Sequence, residues 1–166
     1  MAEKEILFYE QNGYNPIGVG WKKYAGSEKT EQVVTGCYTL YYVLSGTGTN
    51  AVNHVDYHAA AGYMIVCAPS DSFYCRVNSQ DPAEHVWITF TICGKVSNHF
   101  VYPFLHAPQL KALFEEFQKQ IRQETVDWRT IQNALQEIGN LTEAGSDPDV
   151  QIVYDTAKYI QNNVYL

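Results

Sequence analysis

The sequence predicts a mostly β protein with helices at its C-terminal end, and three observations support this. Residues 1–104 contain 17 of the 23 aromatic side chains but only 15 of the 29 charged ones. Before Pro103, short runs rich in β-branched and aromatic residues alternate with turn residues, which is typical of a sandwich or a small barrel. After Pro108, apolar residues recur at helical spacing.

The predicted strands are separated by recognisable turns. Residues 33–44 form a strand that ends at the run Ser45-Gly46-Thr47-Gly48. A hairpin follows, with Asn53-His54 as its two-residue turn, because Asn tolerates positive φ. Three further strands are predicted at residues 63–68, 73–77 and 85–93.

Two helices are predicted from stripes of apolar residues. Pro108 suits the first turn of the first helix, and Asp127 suits the N-cap of the second. The first stripe is Leu110, Leu113, Phe114, Phe117 and Ile121. The second stripe is Ile131, Ala134, Leu135, Ile138 and Leu141. After a break at residues 145–149, a third helix is predicted to run to about residue 162.

Composition excludes several classes of protein. The chain has 166 residues and a formal net charge of −7, so it lacks the basic surface of a free-standing nucleic-acid binder. No apolar stretch approaches the roughly 18 residues that cross a bilayer, and the N-terminus has no signal-peptide core. The four cysteines are widely spaced, which favours buried reduced thiols. A cytoplasmic protein with no membrane contact is predicted.

The usual sequence signatures of enzymes are absent. The chain has no phosphate loop, no dinucleotide-binding glycine motif, no nucleophile elbow and no H-E-x-x-H motif. On a strand, His54 and His58 would lie roughly 13 Å apart, too far to share one metal ion. We therefore predict neither catalysis nor a metal or other cofactor.

The strand at 85–93 has two contrasting faces. His85, Trp87 and Thr89 share one face because side chains alternate along a strand. The opposite face is wholly apolar: Val86, Ile88 and Phe90. The polar face is either a solvated sheet surface or a site where the indole and the imidazole bind a sugar. Composition alone leaves both explanations open.

A similar alternation divides the strand that contains Tyr41. Tyr41 and Val43 share one face of it. The other face carries Leu40, Tyr42 and Leu44. We predict that this second face packs against the helices, which turns Tyr41 towards the ligand.

Several segments occur in an order that resembles a known family. They are Y-Y-V-L-S-G-T-G (41–48), A-V-N-H-V-D-Y-H (51–58), G-Y-M-I-V-C-A-P (62–69), S-F-Y-C-R (72–76) and H-V-W-I-T-F (85–90). Together they resemble the N-terminal cupin-type sensor domain of AraC-type transcriptional regulators. The segment D-T-A-K-Y-I-Q-N-N (155–163) resembles the opening helix of that family's helix-turn-helix domain, cut off at its start.

The resemblance implies a three-part organisation. Residues 1–104 would form a cupin-like β-barrel (a double-stranded β-helix), residues 105–145 an antiparallel helix pair for dimerisation, and residues 146–166 a linker with one further helix. The barrel would bind a small neutral effector, a mono- or oligosaccharide. DNA would be contacted only through the missing C-terminal domain. The alternative is a metal-dependent cupin enzyme, an isomerase or dioxygenase.

The resemblance and the strand alternation together name the candidate ligand-binding residues. The family's pocket positions match Tyr74, His85 and Trp87, and Arg76 would replace an arginine that the family has elsewhere. Tyr41 and Trp21 complete the set. For the homodimer, the expected interface lies on the second helix: Ile131, Leu135, Ile138 and Leu141. The apolar segment 6–9 is either a lid over the ligand or an ordinary first strand.

Overall fold

The computed structural model describes residues 13–25, 33–34, 36–93 and 104–144. In these ranges nine strands precede a short 3-10 turn (Pro108–Leu110) and two α-helices, α1 (Lys111–Gln123) and α2 (Trp128–Ala144). The strands are β1 (Gly13–Lys23), β2 (Val33–Val34), β3 (Tyr38–Ser45), β4 (Thr47–Val52), β5 (Val55–Ala60), β6 (Tyr63–Cys67), β7 (Ser72–Val77), β8 (Glu84–Cys93) and β9 (Phe104–His106). The prediction of a mostly β protein with C-terminal helices is confirmed.

The strands form two antiparallel sheets. Sheet A has the order β1-β8-β3-β6-β9, and sheet B has the order β2-β7-β4-β5. Apart from the edge strand β9, each sheet has four strands, and the chain crosses between the sheets as in a double-sheet jelly roll. No strand ladder joins the sheets in the described ranges. The described ranges therefore form two open sheets that face each other, and they do not show the closure of a barrel.

Strand β3 separates two apolar cores because its side chains alternate. One core lies between sheet A and the helices, where the ring of Tyr42 stacks on that of Phe114 at 4.2 Å. The other core lies between the sheets, where Tyr41 of β3 stacks on Phe73 of β7 at 4.1 Å. The prediction that the Leu40, Tyr42 and Leu44 face packs against the helices is confirmed.

The helix pair follows its sequence signals closely. Pro108 opens the 3-10 turn, and Glu124 ends α1 with a left-handed φ of 55°. Asp127 caps α2: its Oδ1 accepts hydrogen bonds from the backbone N–H groups of Arg129 and Thr130 at 3.1 and 3.3 Å. The predicted helix starts are confirmed, while the third predicted helix lies outside the described residues. No helix of the described ranges combines the length and apolar character needed to cross a bilayer.

The hairpin between β4 and β5 also matches its prediction. Asn53 and His54 both have positive φ, 50° and 67°, as a two-residue turn of this hand requires. This turn fixes the register in which Asn50 lies opposite Tyr57 and Ala51 opposite Asp56.

Two strand predictions need correction. The predicted strand at 33–44 is two strands in different sheets, because Val33–Val34 pairs with β7 whereas Tyr38–Ser45 pairs with β6 and β8. No strand was predicted at residues 13–23, yet they form the long edge strand β1, with a register shift between Pro16 and Gly18. The segment 6–9, the candidate lid, lies outside the described residues.

Candidate functional site

One face of β8 points into the region between the two sheets. His85 lies opposite Val43, and Trp87 opposite Tyr41, on neighbouring β3. Val86, Ile88 and Phe90 belong to the core on the helix side, so the three polar-face residues of β8 point towards sheet B. The structure thus brings His85, Trp87 and Tyr41 together on one inward face, as predicted.

His85 is the most unusual side chain of this face. It is fully buried at 0% exposure, between the rings of Tyr24 at 5.2 Å and Tyr41 at 6.3 Å. Neither ring nitrogen has a hydrogen-bond partner in the described part of the protein. Burial lowers the pKa of His85 to about 4, so the imidazole is neutral at pH 7. A neutral imidazole offers one N–H donor and one nitrogen acceptor.

Two further polar atoms in this space also lack partners. Oγ1 of Thr39 and Oδ1 of Asn50 are buried and make no hydrogen bond within the described ranges. Thr39 points to the same side of sheet A as Tyr41, because it lies two residues before it on β3. Asn50 of β4 lies opposite Cys75 of β7, whose side chain points inward from sheet B. Sequence analysis missed both residues. The available signal was an asparagine inside a strand, where this residue type is depleted.

Tyr41 and Trp87 form the aromatic part of the face. The Tyr41 ring is nearly parallel to Phe73, at 10°, and joins the two sheets. Burial, followed by the nearby Cys67 thiol, raises the pKa of Tyr41 above its ordinary value, which keeps its hydroxyl protonated. Trp87 lies across Gly20 of β1, where a Cβ atom would overlap the indole. A glycine at this position therefore lets the indole occupy the volume that a side chain of the neighbouring strand would fill.

Tyr74 and Arg76, by contrast, do not face the space between the sheets. On β7 the inward side chains are Phe73 and Cys75, both buried in the inter-sheet core. Alternation therefore turns Tyr74 and Arg76 to the outer face of sheet B, where Arg76 forms a 3.0 Å ion pair with Asp56. Their assignment to the same pocket as His85 is wrong.

Trp21 also points away from that space. Its Nε1–H donates a 2.8 Å hydrogen bond to Oε2 of Glu84, and the guanidinium of Arg122 on α1 lies 5.3 Å from its ring centre. Glu84 accepts two more hydrogen bonds, from Ser45 at 3.1 Å and from Gln118 of α1 at 3.1 Å. Trp21 therefore belongs to a polar cluster that joins sheet A to α1, and its assignment as a ligand contact is corrected.

The residues expected to form a dimer interface are used within one chain. Ile131, Leu135 and Ile138 have exposures of 1%, 0% and 0% and pack against sheet A. They cannot form a surface patch while α2 stays on the sheet, so this assignment is corrected. The side chain of Leu141 lies outside the described part.

Two of the three cysteines whose environment is described fit the expectation of buried thiols, whereas Cys37 is only partly buried. Cys67 and Cys75 are buried and form no disulfide within the described ranges, and burial raises the pKa of each thiol to about 12. Both are therefore protonated and weakly nucleophilic at pH 7. In the described ranges, no three His, Cys, Asp or Glu side chains converge in a way that could hold a metal ion.

Comparison with known proteins gives only distant structural likenesses. No protein-family model matches the sequence, and no curated protein matches it. A predicted oxalate decarboxylase from Thermotoga maritima has 14% identity over 56% of this chain and 76% of its own, with a TM-score of 0.44. A cupin protein from Bacteroides fragilis has 16% identity over 54% and 74%, with a TM-score of 0.40. A cupin superfamily protein from Desulfitobacterium hafniense has 11% identity over 49% and 79%, with a TM-score of 0.41. These scores assign no family, and the fold described above rests on the strand order of this chain.

Proposed function

We propose that this protein binds a small neutral molecule between its two sheets, with His85 as the central contact. The observation that carries the proposal is the fully buried imidazole whose two nitrogens lack partners in the described part of the chain. Leaving a buried polar atom without a partner costs about 1–3 kcal/mol. A bound molecule that supplies both partners would remove this cost.

The chemistry of the inward face indicates a ligand with hydroxyl groups. His85 offers one donor and one acceptor, Thr39 offers a hydroxyl, and Asn50 offers a carbonyl oxygen. A hydroxyl both donates and accepts, so it can pair with each of these groups. Because His85 is neutral at pH 7, it supplies no charge to attract an anion. Trp87, which is only partly buried, adds a flat surface for the C–H face of a sugar ring, whereas one face of Tyr41 is already covered by Phe73. We therefore propose a mono- or oligosaccharide.

We further propose that ligand binding serves regulation rather than catalysis. The sequence segments that resemble AraC-type sensor domains support this assignment, as does a jelly roll followed by a helix pair. In such a protein the ligand would shift the arrangement of DNA-binding domains elsewhere in the full regulator. The shift cannot exceed the ligand's difference in affinity between the two arrangements.

Titration calorimetry of the chain against a panel of mono- and oligosaccharides tests the proposal. A binding sugar at a hundred times its dissociation constant should stabilise the fold by about 2.7 kcal/mol. We expect His85→Leu to abolish binding and His58→Ala, which alters an exposed histidine of β5, to preserve it. Circular dichroism confirms that both variants fold.

Two results would overturn parts of this proposal. Failure of every sugar, combined with tight binding of a fatty acid or an aromatic acid, would refute the saccharide assignment. Stoichiometric iron, manganese, nickel or zinc in the purified protein would favour the metal-dependent cupin enzyme and contradict a purely regulatory role.

A further inference from the structure

We infer a second saccharide site on the outer face of sheet B, separate from the space between the sheets. It is a cleft of about 300 Å³, here called the outer cleft. Its lining residues are Ala51, His54, Asp56, Ser72 and Tyr74. A volume near 300 Å³ is at the lower end of the range for small-molecule sites and suits one sugar ring.

The shape of the outer cleft follows from the order of side chains across three strands. Tyr74 on β7, Ala51 on β4 and Asp56 on β5 lie directly opposite one another, so they form one row on the outer face. The middle side chain is only a methyl group, and it leaves a depression between the phenol ring and the carboxylate. Ser72 lies two residues before Tyr74 on the same face, and His54 lies in the adjoining turn. The side chains around the depression are thus polar or aromatic, over an apolar floor.

One wall of the outer cleft is held rigidly by hydrogen bonds between two turns. Nδ2 of Asn53 donates to Oδ1 of Asp71 at 2.9 Å, and Oδ1 of Asn53 accepts from the backbone N–H of Ser72 at 2.9 Å. The second carboxylate oxygen of Asp71 accepts from the backbone N–H of Ala68 at 2.8 Å. A preorganised wall lowers the entropy lost when a ligand binds.

Asp56, which lines the outer cleft, is paired with Arg76, which lies beside the cleft rather than in its lining. Nη2 of Arg76 lies 3.0 Å from Oδ2 of Asp56, and the two side chains are 55% and 58% exposed. An ion pair this exposed contributes little to stability, but it presents carboxylate acceptors beside guanidinium donors. Two neighbouring hydroxyls of a sugar match this arrangement, because one can donate to Asp56 while the other accepts from Arg76.

Tyr74 supplies the remaining contact. Its ring borders the depression, and the Arg76 guanidinium lies 5.9 Å from its centre. An aromatic ring beside a donor–acceptor pair can contact the apolar face of a sugar while its hydroxyls bind the pair. The same two residues that sequence analysis assigned to the internal pocket therefore acquire a role on the opposite face of their sheet.

Amide NMR titration of the full chain with the methyl glycosides of glucose, galactose and mannose tests the inference. We expect millimolar binding, with shifts at residues 51, 54, 56, 72 and 74. Tyr74→Ala and Asp56→Asn should each weaken binding roughly tenfold, which corresponds to about 1.4 kcal/mol. His58→Ala is the matched control, because His58 is an exposed residue of the same face that does not line the outer cleft.

The outcome distinguishes this site from the internal one. Shifts that persist in His85→Leu but vanish in Tyr74→Ala support the outer cleft, whether or not the internal site binds anything. Absence of shifts with all three glycosides would overturn the inference. So would shifts unchanged by both cleft variants, or equal shifts produced by sodium acetate, which would indicate simple anion binding to Arg76.

Discussion

At the scale of single residues, the burial of His85 makes the free energy of unfolding depend on pH. The folded state holds its pKa at about 4, whereas an exposed histidine titrates near 6.5. Between these values the unfolded chain binds a proton that the folded chain does not. The contribution of His85 to the free energy of unfolding is therefore complete above pH 6.5 and is lost as the pH falls towards 4. The neighbouring Tyr41, whose pKa is raised by burial, is uncharged over this range.

We expect this loss to reach about 3 kcal/mol, since each pKa unit corresponds to about 1.4 kcal/mol. Urea unfolding of wild type and His85→Leu at several pH values between 7 and 4 measures it. Carboxylates titrate in both proteins, so the difference between the two curves isolates the imidazole. Parallel curves would show that His85 is not buried in the neutral form.

Gly20 provides a second residue-scale prediction. A Cβ atom at this position would overlap the Trp87 indole, whereas at Gly18 the nearest atom would be Oγ1 of Thr89 at 3.8 Å. We expect Gly20→Ala to force the indole from its place and to cost about 1–3 kcal/mol, the usual range for overpacking. Gly18→Ala should be nearly neutral. Near-ultraviolet circular dichroism and thermal unfolding of both variants check this; equal behaviour would mean that the indole turns aside freely.

At the scale of elements, α1 shares an apolar core with sheet A. Phe114 is fully buried, stacks on Tyr42 of sheet A and contacts Phe117 edge to face at 5.5 Å. We expect Phe114→Ala to lower the free energy of unfolding by about 3–5 kcal/mol, as for other buried aromatic truncations. Ala112→Ser, at an exposed position of the same helix, is the control. Separate unfolding transitions for helices and sheets would contradict a shared core.

The elements that sequence analysis located are those defined by local patterns. The period of two in β3 and β8 and the apolar stripes of α1 and α2 are properties of the segments themselves. Strand β1 was missed because Gly13, Pro16 and Gly20 are turn formers, and its extended form depends on a pairing with β8 that the local sequence does not encode. The predicted strand at 33–44 was broken at Gly36 for a similar reason, since its two halves pair in different sheets.

The sequence predicts those residues of the candidate site whose facing depends only on the alternation of side chains along a strand. His85, Trp87 and Tyr41 share an inward face, as period two requires. The apolar residues Phe73 and Cys75 mark the inward face of β7, so alternation alone places Tyr74 on the outer face, contrary to what the family resemblance implies. The burial of Thr39 Oγ1 and Asn50 Oδ1 without a hydrogen bond in the described ranges depends on packing between the sheets, which no single strand reveals.

At the scale of the whole molecule, the expected homodimer needs a different contact surface. The apolar stripe of α2 is buried within the chain, but Trp128, at the start of α2, is 46% exposed. We expect association, if it uses α2, to centre on this indole, and Trp128→Ala to weaken it by about 2 kcal/mol. Sedimentation at several concentrations measures this. A monomer at high micromolar concentration, with and without saccharide, would contradict the dimer.

The pairing of β1 with β8 also determines how the chain reaches its fold. This ladder places Gly13 opposite Cys93 and Lys23 opposite Glu84, so β1 and its neighbour β8 in sheet A are separated by about 60 residues or more of chain. The entropy of closing so long a loop is lost before any of the ladder's hydrogen bonds form. We therefore expect refolding to be slow for a chain of this length, on the order of milliseconds to seconds. Until β1 arrives, the free edge of β8 is open to other chains, so refolding yield should fall as protein concentration rises.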